Sequence, residues 1–277
     1  MLGVELYKSH SIMLKIMKTC VMTIVKDEQS YIQEFIEHHL NLGVDALFVF
    51  EDIGSTSHRD IISSYSNVYL MSILDVYVDK EWIINRKEKR MPVQSDYIQH
   101  AVHYIQSLNE YDWCFSIDCD EYVHCDDLSV LSQFNDYDAV ILYWKNHGAN
   151  GHIKKPEYKS IKETYTQETG FTRTDYLTHA ISKMALNLRR IDTNIHIPCH
   201  YAPKANYIRT DFKKDLRLPP CYDIIYIDHY ITKSFEEYMW KLKTRGMICK
   251  IHRKIDDFFE MNPDLDREEC MKTINKD

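Results

Sequence analysis

The sequence predicts an α/β protein whose central sheet is mostly parallel and flanked by helices. Short apolar runs rich in β-branched and aromatic residues, at 20–25 and 46–50, are typical of strands buried on both faces. Between them, residues 31–43 carry apolar side chains at helical spacing, follow Ser30 as the expected N-cap and end at Gly43. Strands and helices go on alternating over the first 145 residues. This is the pattern of βαβ units, in which consecutive strands run parallel.

The remaining elements follow from the same two periodicities. We expect residues 75–91, which are charged and without clear period, to form a surface loop. Ser234 and Glu237 have the spacing of a capping box at the start of the last helix of the main domain. The predicted strands are 20–25, 46–50, 68–73, 113–117, 139–144, 182–191 and 224–228, and the predicted helices are 31–43, 59–65, 92–108, 128–134 and 235–246.

Length and composition indicate one main domain with short terminal segments. A chain of 277 residues with 44% hydrophobic and 27% charged residues can build a substantial core. We expect an N-terminal extension at 1–18, a main domain at 19–250 and a C-terminal helical tail at 251–277. An alternative interpretation of residues 1–18 is a short basic amphipathic segment that touches a membrane surface.

Charge, glycine and cysteine usage exclude several classes. The net charge of −8 argues against a general nucleic-acid binder, which needs a basic surface. Only 7 glycines are present, and no Walker or GxGxxG phosphate loop occurs. The eight cysteines are scattered without a CxxC pair, which favours reduced thiols. With no signal peptide or apolar span visible, we expect a cytoplasmic protein, with peripheral contact at the inner membrane surface as the alternative.

The centre of the chain carries the most specific pattern. A short apolar run, residues 113–117, leads directly into Asp118, Asp120 and Glu121. In an extended backbone, Asp118 and Asp120 would point the same way. Two carboxylates so close repel one another unless a cation lies between them, and Mg²⁺ or Mn²⁺ suits such oxygen ligands. The alternative is an acidic turn in water.

Further polar residues follow the ends of the other predicted strands. Ligands of such sheets bind at the carboxyl ends of the strands, where these residues would gather. His229, at a strand end, is a candidate third metal ligand, and Lys233, near a helix start, is a candidate phosphate contact. Taken singly, each is also explained as a loop charge or a packed histidine. The charged residues after the first two strands are Lys26, Asp27, Glu28, Glu51 and Asp52.

The motifs in order resemble the glycosyltransferases of the GT-A fold, specifically the family-2-like and family-92-like group. The resemblance covers about residues 19 to 250. Two mild departures are Asp27, where such families often carry Asn, and Tyr122, where they often carry Phe. The matching segments are Val25-Lys-Asp-Glu28, Glu37-His-His-Leu-Asn-Leu-Gly43, Phe48-Val-Phe-Glu-Asp52, Ile117-Asp-Cys-Asp-Glu121, Trp144…His147-Gly…Asn150-Gly-His152 and Asp228-His-Tyr-Ile-Thr-Lys-Ser234…Glu237…Lys241…Gly246.

This resemblance implies a Rossmann-like GT-A domain that binds a nucleoside-diphosphate sugar. The donor that the resemblance favours is a UDP-hexose. Asp118 and Asp120 of the DxD motif and His229 would hold Mn²⁺ or Mg²⁺, which stabilises the departing diphosphate. The acceptor would be a glycan or a lipid-linked glycan. Residues implied along the donor are Lys26, Glu28, Glu51, Gln94, Asp118, Trp144 and Lys233.

The base that takes the acceptor's proton stays open among several carboxylates. The resemblance implies an inverting reaction, which needs such a base. Glu121, Asp175 and Glu237 are the candidates, with Glu236 beside the last, and Glu237 is also explained as a helix cap. Two other functions are alternatives: a metal-dependent nucleotidyltransferase or phosphohydrolase, and an inactive sugar-nucleotide-binding module.

Overall fold

One mixed β-sheet, seen in this computed structural model, forms the centre of the molecule. The structure describes residues 17–77, 79–88, 94–157, 160–169, 182–192, 194, 197, 200, 204–244 and 254–275. Within these ranges the sheet has nine strands, which we number along the chain. Eight of them lie in the order β3-β2-β1-β4-β7-β6-β9-β5, and β8 pairs with β6. They are β1 (Thr19–Val25), β2 (Ala46–Glu51), β3 (Val68–Ser72), β4 (Trp113–Ser116), β5 (Glu121–His124), β6 (Ala139–Asn146), β7 (Ser182–Asn187), β8 (Tyr207–Arg209) and β9 (Tyr226–His229).

Helices cover both faces of the sheet. Two short 3₁₀ helices, Ile73–Val76 and Leu128–Phe134, accompany the α-helices. The α-helices of the described residues are α1 (Ile32–Asn41), α2 (Arg59–Ile62), α3 (Lys80–Glu88), α4 (Gln94–Leu108), α5 (Ile161–Thr164), α6 (Phe235–Thr244), α7 (Ile255–Met261) and α8 (Arg267–Ile274).

Strand direction confirms the predicted fold class. The strands β3, β2, β1 and β4 are mutually parallel, and β6 runs parallel to both β8 and β9. Antiparallel pairing is confined to β4 with β7, β6 with β7, and β5 with β9. The chain is therefore a mixed α/β domain with a mostly parallel sheet flanked by helices.

Alternating residues of the central strands fill two separate cores. Val21 and Val25 of β1 pack in the core that contains Phe35 of α1, whereas Cys20 and Met22 pack in the opposite core with α4. All five side chains are almost fully buried. The central strands therefore lie between two helical layers. Burial of a large apolar side chain contributes roughly 1.5–3 kcal/mol, so these faces fix the register of the strands.

Three local predictions are corrected by the structure. The segment 75–91 is not an irregular loop, since it contains α3, where Asp79 Oδ1 accepts a hydrogen bond from Trp82 N at 2.9 Å and Ile83 is buried. The helix predicted at 128–134 is present with these bounds, but it is a 3₁₀ helix rather than an α-helix, capped by Asp127. Ser30 is not the N-cap of α1; Tyr31 precedes that helix without a side-chain cap.

The described part of the C-terminal tail forms two helices. Both pack with α6 in a small third core that contains Phe235, Phe258 and Cys270. The base candidate Asp175, residues 1–16 of the predicted extension and residues 251–253 and 276–277 of the tail lie outside the described residues. Six cysteines fall within the described ranges, and none of these six forms a disulfide bond. In those same ranges no helix has the length and apolar character needed to cross a bilayer.

Candidate active site

The three acidic residues at the centre of the chain lie in a tight turn between β4 and β5. Glu121 N donates to Asp118 O at 3.0 Å, and Asp118 N donates back to Glu121 Oε2 at 2.9 Å. The expectation of an extended backbone from Asp118 to Asp120 is therefore wrong, because these two hydrogen bonds close the chain on itself. We call residues 118–121 the acidic turn. It lies at the carboxyl end of β4, where α/β sheets bind ligands.

Two buried lysines neutralise the acidic turn. Lys183 of β7 places Nζ 2.8 Å from Asp118 Oδ2 and 3.6 Å from Glu121 Oε2. Lys241 of α6 places Nζ 2.6 Å from Asp120 Oδ2. Although desolvation opposes ionisation, the Lys183 ammonium lowers the pKa of Asp118, and that of Lys241 holds the pKa of Asp120 well below its usual range. Both aspartates are therefore ionised at neutral pH.

Glu121 and His229 face each other behind the two aspartates. They are direct cross-strand partners between β5 and β9, so their side chains share one face of the sheet. His229 Nε2 lies 3.9 Å from both Asp120 Oδ1 and Glu121 Oε1. Glu121 is completely buried, and its Oε1 makes no hydrogen bond within the described structure. This burial, reinforced by Asp118 and Asp120, raises the pKa of Glu121.

Asn146 fixes the orientation of the His229 ring. The two residues are register partners between β6 and β9, and His229 Nδ1 lies 3.1 Å from Asn146 Oδ1. With Nδ1–H donating to this amide oxygen, Nε2 lies on the side of the carboxylates. Histidines that bind metals are commonly held by such a hydrogen bond from the other ring nitrogen.

These residues fit a divalent cation. Asp120, Glu121 and His229 bring two carboxylate oxygens and an imidazole nitrogen together, a donor set that suits Mn²⁺ or Mg²⁺. The buried Glu121 Oε1 makes no hydrogen bond within the described structure and lies 3.9 Å from His229 Nε2, so a cation bound there would give this oxygen a partner. Over the described ranges, however, no three His, Cys, Asp or Glu side chains already converge as a formed metal centre. The lysine ammonium groups engage Asp118 and Asp120 instead.

Gln94 and Trp144 are brought to the same place. Gln94, the first residue of α4, donates from Nε2 to Asp118 Oδ1 at 3.3 Å. The ring of Trp144 lies 4.3 Å from that of His229, centroid to centroid. Its indole Nε1 is buried, and the described residues offer it no acceptor. A half-buried indole with an unused donor is a candidate contact for a polar ligand.

Lys233 lies beside the acidic turn and the loop that follows β1. Its Nζ is 3.8 Å from Glu28 Oε2 and 4.0 Å from the centre of the Tyr31 ring. Burial alone would lower the pKa of Lys233, but Glu28 and Asp120 raise it, so the side chain stays charged. The predicted phosphate contact is therefore a buried cation within the electrostatic range of Asp120.

Glu51 contacts His58, a histidine that was not among the predicted site residues. Glu51 Oε1 accepts from His58 N at 2.6 Å and from His58 Nδ1 at 3.1 Å. On its other side, His58 Nε2 accepts from Glu28 N at 3.1 Å. Fully buried, His58 thus ties the loop after β1 to the end of β2. Lys26 lies at the start of the same loop, half-buried.

Glu237 forms the predicted capping box of α6. Its backbone N–H donates to Ser234 Oγ at 3.3 Å, and its carboxylate accepts from Ser234 N at 3.3 Å. The same carboxylate also accepts from the hydroxyls of Tyr31, Tyr165 and Ser234. Against the effect of burial, Lys233 and these donors lower the pKa of Glu237. The hydrogen bonds give this base candidate a structural task.

The polar loop after β6 is docked on the C-terminal helices. Ala149 N donates to the side-chain oxygen of Asn262, which follows α7 and is buried. A Cβ on Gly148 would lie 2.7 Å from Asn262 Oδ1 and 2.8 Å from Thr169 Cγ2, so only glycine fits. His147 Nε2 donates to Asp228 Oδ1 at 2.8 Å on the face of the sheet opposite His229.

Five residues of this site were not predicted to act there. Lys183 is a lone charge in an apolar strand, and Lys241 continues the apolar helix face of Phe235 and Tyr238; both patterns signal a buried cation. The other three each make a contact in the site with a partner distant in sequence, and no local signal predicts such a contact: Asn146, His58 and Asn262.

No protein-family model and no curated protein matches the chain. Among solved structures, the chain is similar to glucosyl-3-phosphoglycerate synthase from Mycobacterium tuberculosis in complex with Mn²⁺, UDP and phosphoglyceric acid. The identity is 15% over 47% of this chain and 44% of that chain, with a TM-score of 0.31. HddC from Yersinia pseudotuberculosis is 11% identical over 70% of this chain and 89% of that chain, with a TM-score of 0.39. The chain thus spans less than half of the synthase, and likeness at this level identifies neither a substrate nor a mechanism.

Proposed function

We propose that the chain is a metal-dependent glycosyltransferase. It would move a hexose from a nucleoside-diphosphate sugar, UDP-hexose in the first place, to a glycan or lipid-linked glycan acceptor, with inversion. The observation that carries the proposal is the acidic turn at the carboxyl end of β4, joined by His229 and by Lys183 and Lys241. Carboxylates, imidazole and ammonium groups at one sheet edge are the groups that bind a cation together with a diphosphate.

Binding of the cation and binding of the phosphates are the first two roles in this proposal. Asp118, Asp120 and His229 would hold Mn²⁺ or Mg²⁺, with Glu121 Oε1 facing the same space. The bound ion would stabilise the negative charge that develops on the leaving nucleoside diphosphate. Lys233 would add a fixed positive charge for the same phosphates.

Two neighbours of the acidic turn are assigned to the donor. Gln94 already donates to Asp118, so it would keep this carboxylate in place as the ligand enters. Trp144 would offer its ring and its indole N–H to the sugar or nucleotide. Lys26 and Glu28 follow β1 at the same sheet edge, and Glu51 supports their loop through His58.

The general base is proposed among the remaining carboxylates. Glu237 accepts hydrogen bonds from three hydroxyl groups and caps α6, so we assign it to anchoring rather than to proton transfer. Glu121 and Asp175 stay the candidate bases. Complete burial of Glu121 behind the two aspartates favours a part in orienting the turn, which leaves Asp175 as the better candidate.

A nucleotide-sugar panel with Mn²⁺ tests the proposal, with Asp120→Asn as the diagnostic variant. Loss of the carboxylate charge should lower sugar transfer or donor hydrolysis on the order of 100-fold, because the cation loses a ligand while Lys241 keeps a hydrogen-bond partner. The matched control is Asp126→Asn, an exposed aspartate just after β5, which should retain activity.

Product analysis separates the alternatives. Release of UDP or GDP with a glycosylated product, or with free sugar, supports the proposal. Release of pyrophosphate or sugar phosphate would instead identify a nucleotidyltransferase or phosphohydrolase. Donor binding without any turnover across the panel would identify a binding module.

A further inference from the structure

Three ammonium groups face three carboxylates at the acidic turn. The cations come from separate elements: Lys183 from β7, Lys241 from α6 and Lys233 from the loop before α6. They are only 2%, 6% and 2% exposed, respectively. The three carboxylates are Asp118, which pairs with Lys183, Asp120, which pairs with Lys241, and Glu28 beside the turn, which pairs with Lys233.

A cluster of buried charges contributes little net stability to a fold. Removing charges from water costs several kcal/mol for each ion, and a buried pair rarely recovers more than that. In addition, the cluster is incompletely satisfied, since the fully buried Glu121 Oε1 has no hydrogen-bond donor in the described structure. An unpaired buried carboxylate oxygen aimed at His229 points to a ligand rather than to a purely structural role.

The matched charges decide which ligands the cluster accepts. A divalent cation alone would enter next to three ammonium groups, and a diphosphate alone would enter next to three carboxylates. Each is opposed by like charge in a poorly solvated site. A cation and a diphosphate entering together change the net charge little, because the cation can take the carboxylates and the ammonium groups can take the phosphate oxygens.

We propose that Lys183 and Lys241 make binding of the divalent cation and the nucleoside diphosphate mutually dependent. In the free protein they pair with Asp118 and Asp120; when both ligands bind, the ammonium groups pass to the phosphate oxygens. This inference rests on the proposed function, because it takes a nucleoside diphosphate as the occupant. The two lysines would then contact the phosphates only when both ligands are bound.

Mn²⁺ affinity, measured by electron paramagnetic resonance of the free ion, tests the inference with the full chain. For the wild type, saturating UDP should tighten Mn²⁺ binding at least about tenfold, and by linkage Mn²⁺ should tighten UDP binding equally. For Lys241→Met, Mn²⁺ alone should bind more tightly than to the wild type. UDP should then improve Mn²⁺ binding by about tenfold less than it does in the wild type.

The matched control is Lys243→Met, an exposed lysine in the last turn of α6, which should behave as the wild type. Unchanged or weaker binding of Mn²⁺ alone to Lys241→Met would overturn the inference. Circular dichroism checks that this variant is folded. If it is not, Lys183→Met against the exposed Lys213→Met provides the same comparison.

The outcomes also separate this inference from the proposed function. Failure of UDP, GDP and ADP to bind in the presence of Mn²⁺ overturns both. Mutually dependent binding with no sugar transfer in the donor panel upholds the role of the two lysines and overturns the glycosyltransferase. Sugar transfer together with independent binding of Mn²⁺ and nucleotide upholds the glycosyltransferase and overturns the role of the two lysines.

Discussion

Asn146 illustrates, at the scale of single residues, how the site is prepared from outside. Its amide oxygen accepts a hydrogen bond from His229 Nδ1–H and so keeps Nε2 on the side of the carboxylates. The alternation of side chains along β6 places Trp144 on this same face, in contact with the His229 ring. Ring orientation therefore depends on two β6 residues.

Asn146→Ala should weaken Mn²⁺ binding by about 10- to 100-fold in the presence of UDP, which is the usual effect of losing a hydrogen bond behind a metal ligand. The freed ring can adopt the other tautomer or rotate away from Asp120. Isothermal titration with Mn²⁺ measures this effect. Asn135→Ala, at an exposed position after the second 3₁₀ helix, is the control, and an Asn146→Ala affinity equal to that control would contradict the role of the amide.

His39 is the residue that most clearly ties stability to pH. It is fully buried in α1, with Nδ1 2.8 Å from Phe35 O and Nε2 accepting from Val123 N at 3.3 Å. Both ring nitrogens are thus satisfied by the neutral form. Desolvation, with a smaller contribution from His38, lowers the pKa of His39 to about 3.

Because the unfolded chain binds this proton near pH 6.5 and the folded chain does not, stability falls as the pH drops below about 6.5. Between pH 7 and pH 5 the loss from this one group should be about 2 kcal/mol. Urea unfolding of the wild type and of His39→Gln measures it, since the variant should lack this part of the pH dependence. His124→Gln, an exposed histidine, is the control; equal pH slopes for all three proteins would refute the assignment.

The site residues show what local sequence can and cannot reveal. The acidic residues, His229, Gln94 and Lys233 stand at predictable strand or helix ends, and the structure brings these together. His58 and Asn262 are located by hydrogen bonds to partners 30 and 113 residues away in the chain. Spacing in the sequence contains no information about such contacts.

The acidic turn shows, at the scale of elements, how a correct location can follow from an incorrect local conformation. The apolar run 113–117 correctly predicted a buried strand ending at the carboxylates. The chain then turns at once, because Glu121 Oε2 accepts from Asp118 N and closes the turn. A side chain that bonds its own backbone competes with extended structure, and the alternation rule does not include this competition.

The docking of the loop after β6 on α7 is a second feature of elements. Gly148 packs against Asn262 and Thr169, and Asn262 in turn receives Ala149 N. The C-terminal segment, expected to be an outer tail, therefore supports the loop that carries His147 and His152. Its Asn262 donates to Phe258 O at 2.8 Å, which fixes the amide for this task.

Gly148→Ala should destabilise the protein by about 1–3 kcal/mol, the usual effect of inserting a methyl group into a packed contact. The new Cβ would displace Asn262 Oδ1 and Thr169 Cγ2. Denaturant unfolding measures the loss. In the double variant with Asn262→Ala, the combined loss should be smaller than the sum of the single losses, because the second change removes one clash; strict additivity would argue against the contact.

At the scale of the whole molecule, the candidate site lies at the edge of the sheet where the parallel strands end. The strands β1, β2, β3 and β4 run in one direction, so the loops that follow them share an edge. From the other half, β9 brings His229 and β7 brings Lys183 to the acidic turn. Periodicity predicted the parallel half well, because each strand there is a short apolar run with a helix after it.

The other half of the sheet, which mixes parallel and antiparallel pairs, was less predictable at the same scale. The strand β8 has only three residues, and β5 has four, too few for a clear alternation. Their pairing is decided by the neighbours β6 and β9, which lie far away in the chain. The sequence therefore predicted the architecture and the central carboxylates, whereas the lysines that neutralise them required the folded chain.

The central claim is that the acidic turn and His229 hold a divalent cation together with a nucleoside diphosphate. Anomalous diffraction at the manganese edge, from crystals of the full chain grown with Mn²⁺ and UDP, tests it most directly. We predict one peak at coordination distance, about 2.0–2.6 Å, from Asp120 and His229, with diphosphate oxygens on its other side. A diphosphate bound with its manganese peak remote from both side chains would contradict the claim.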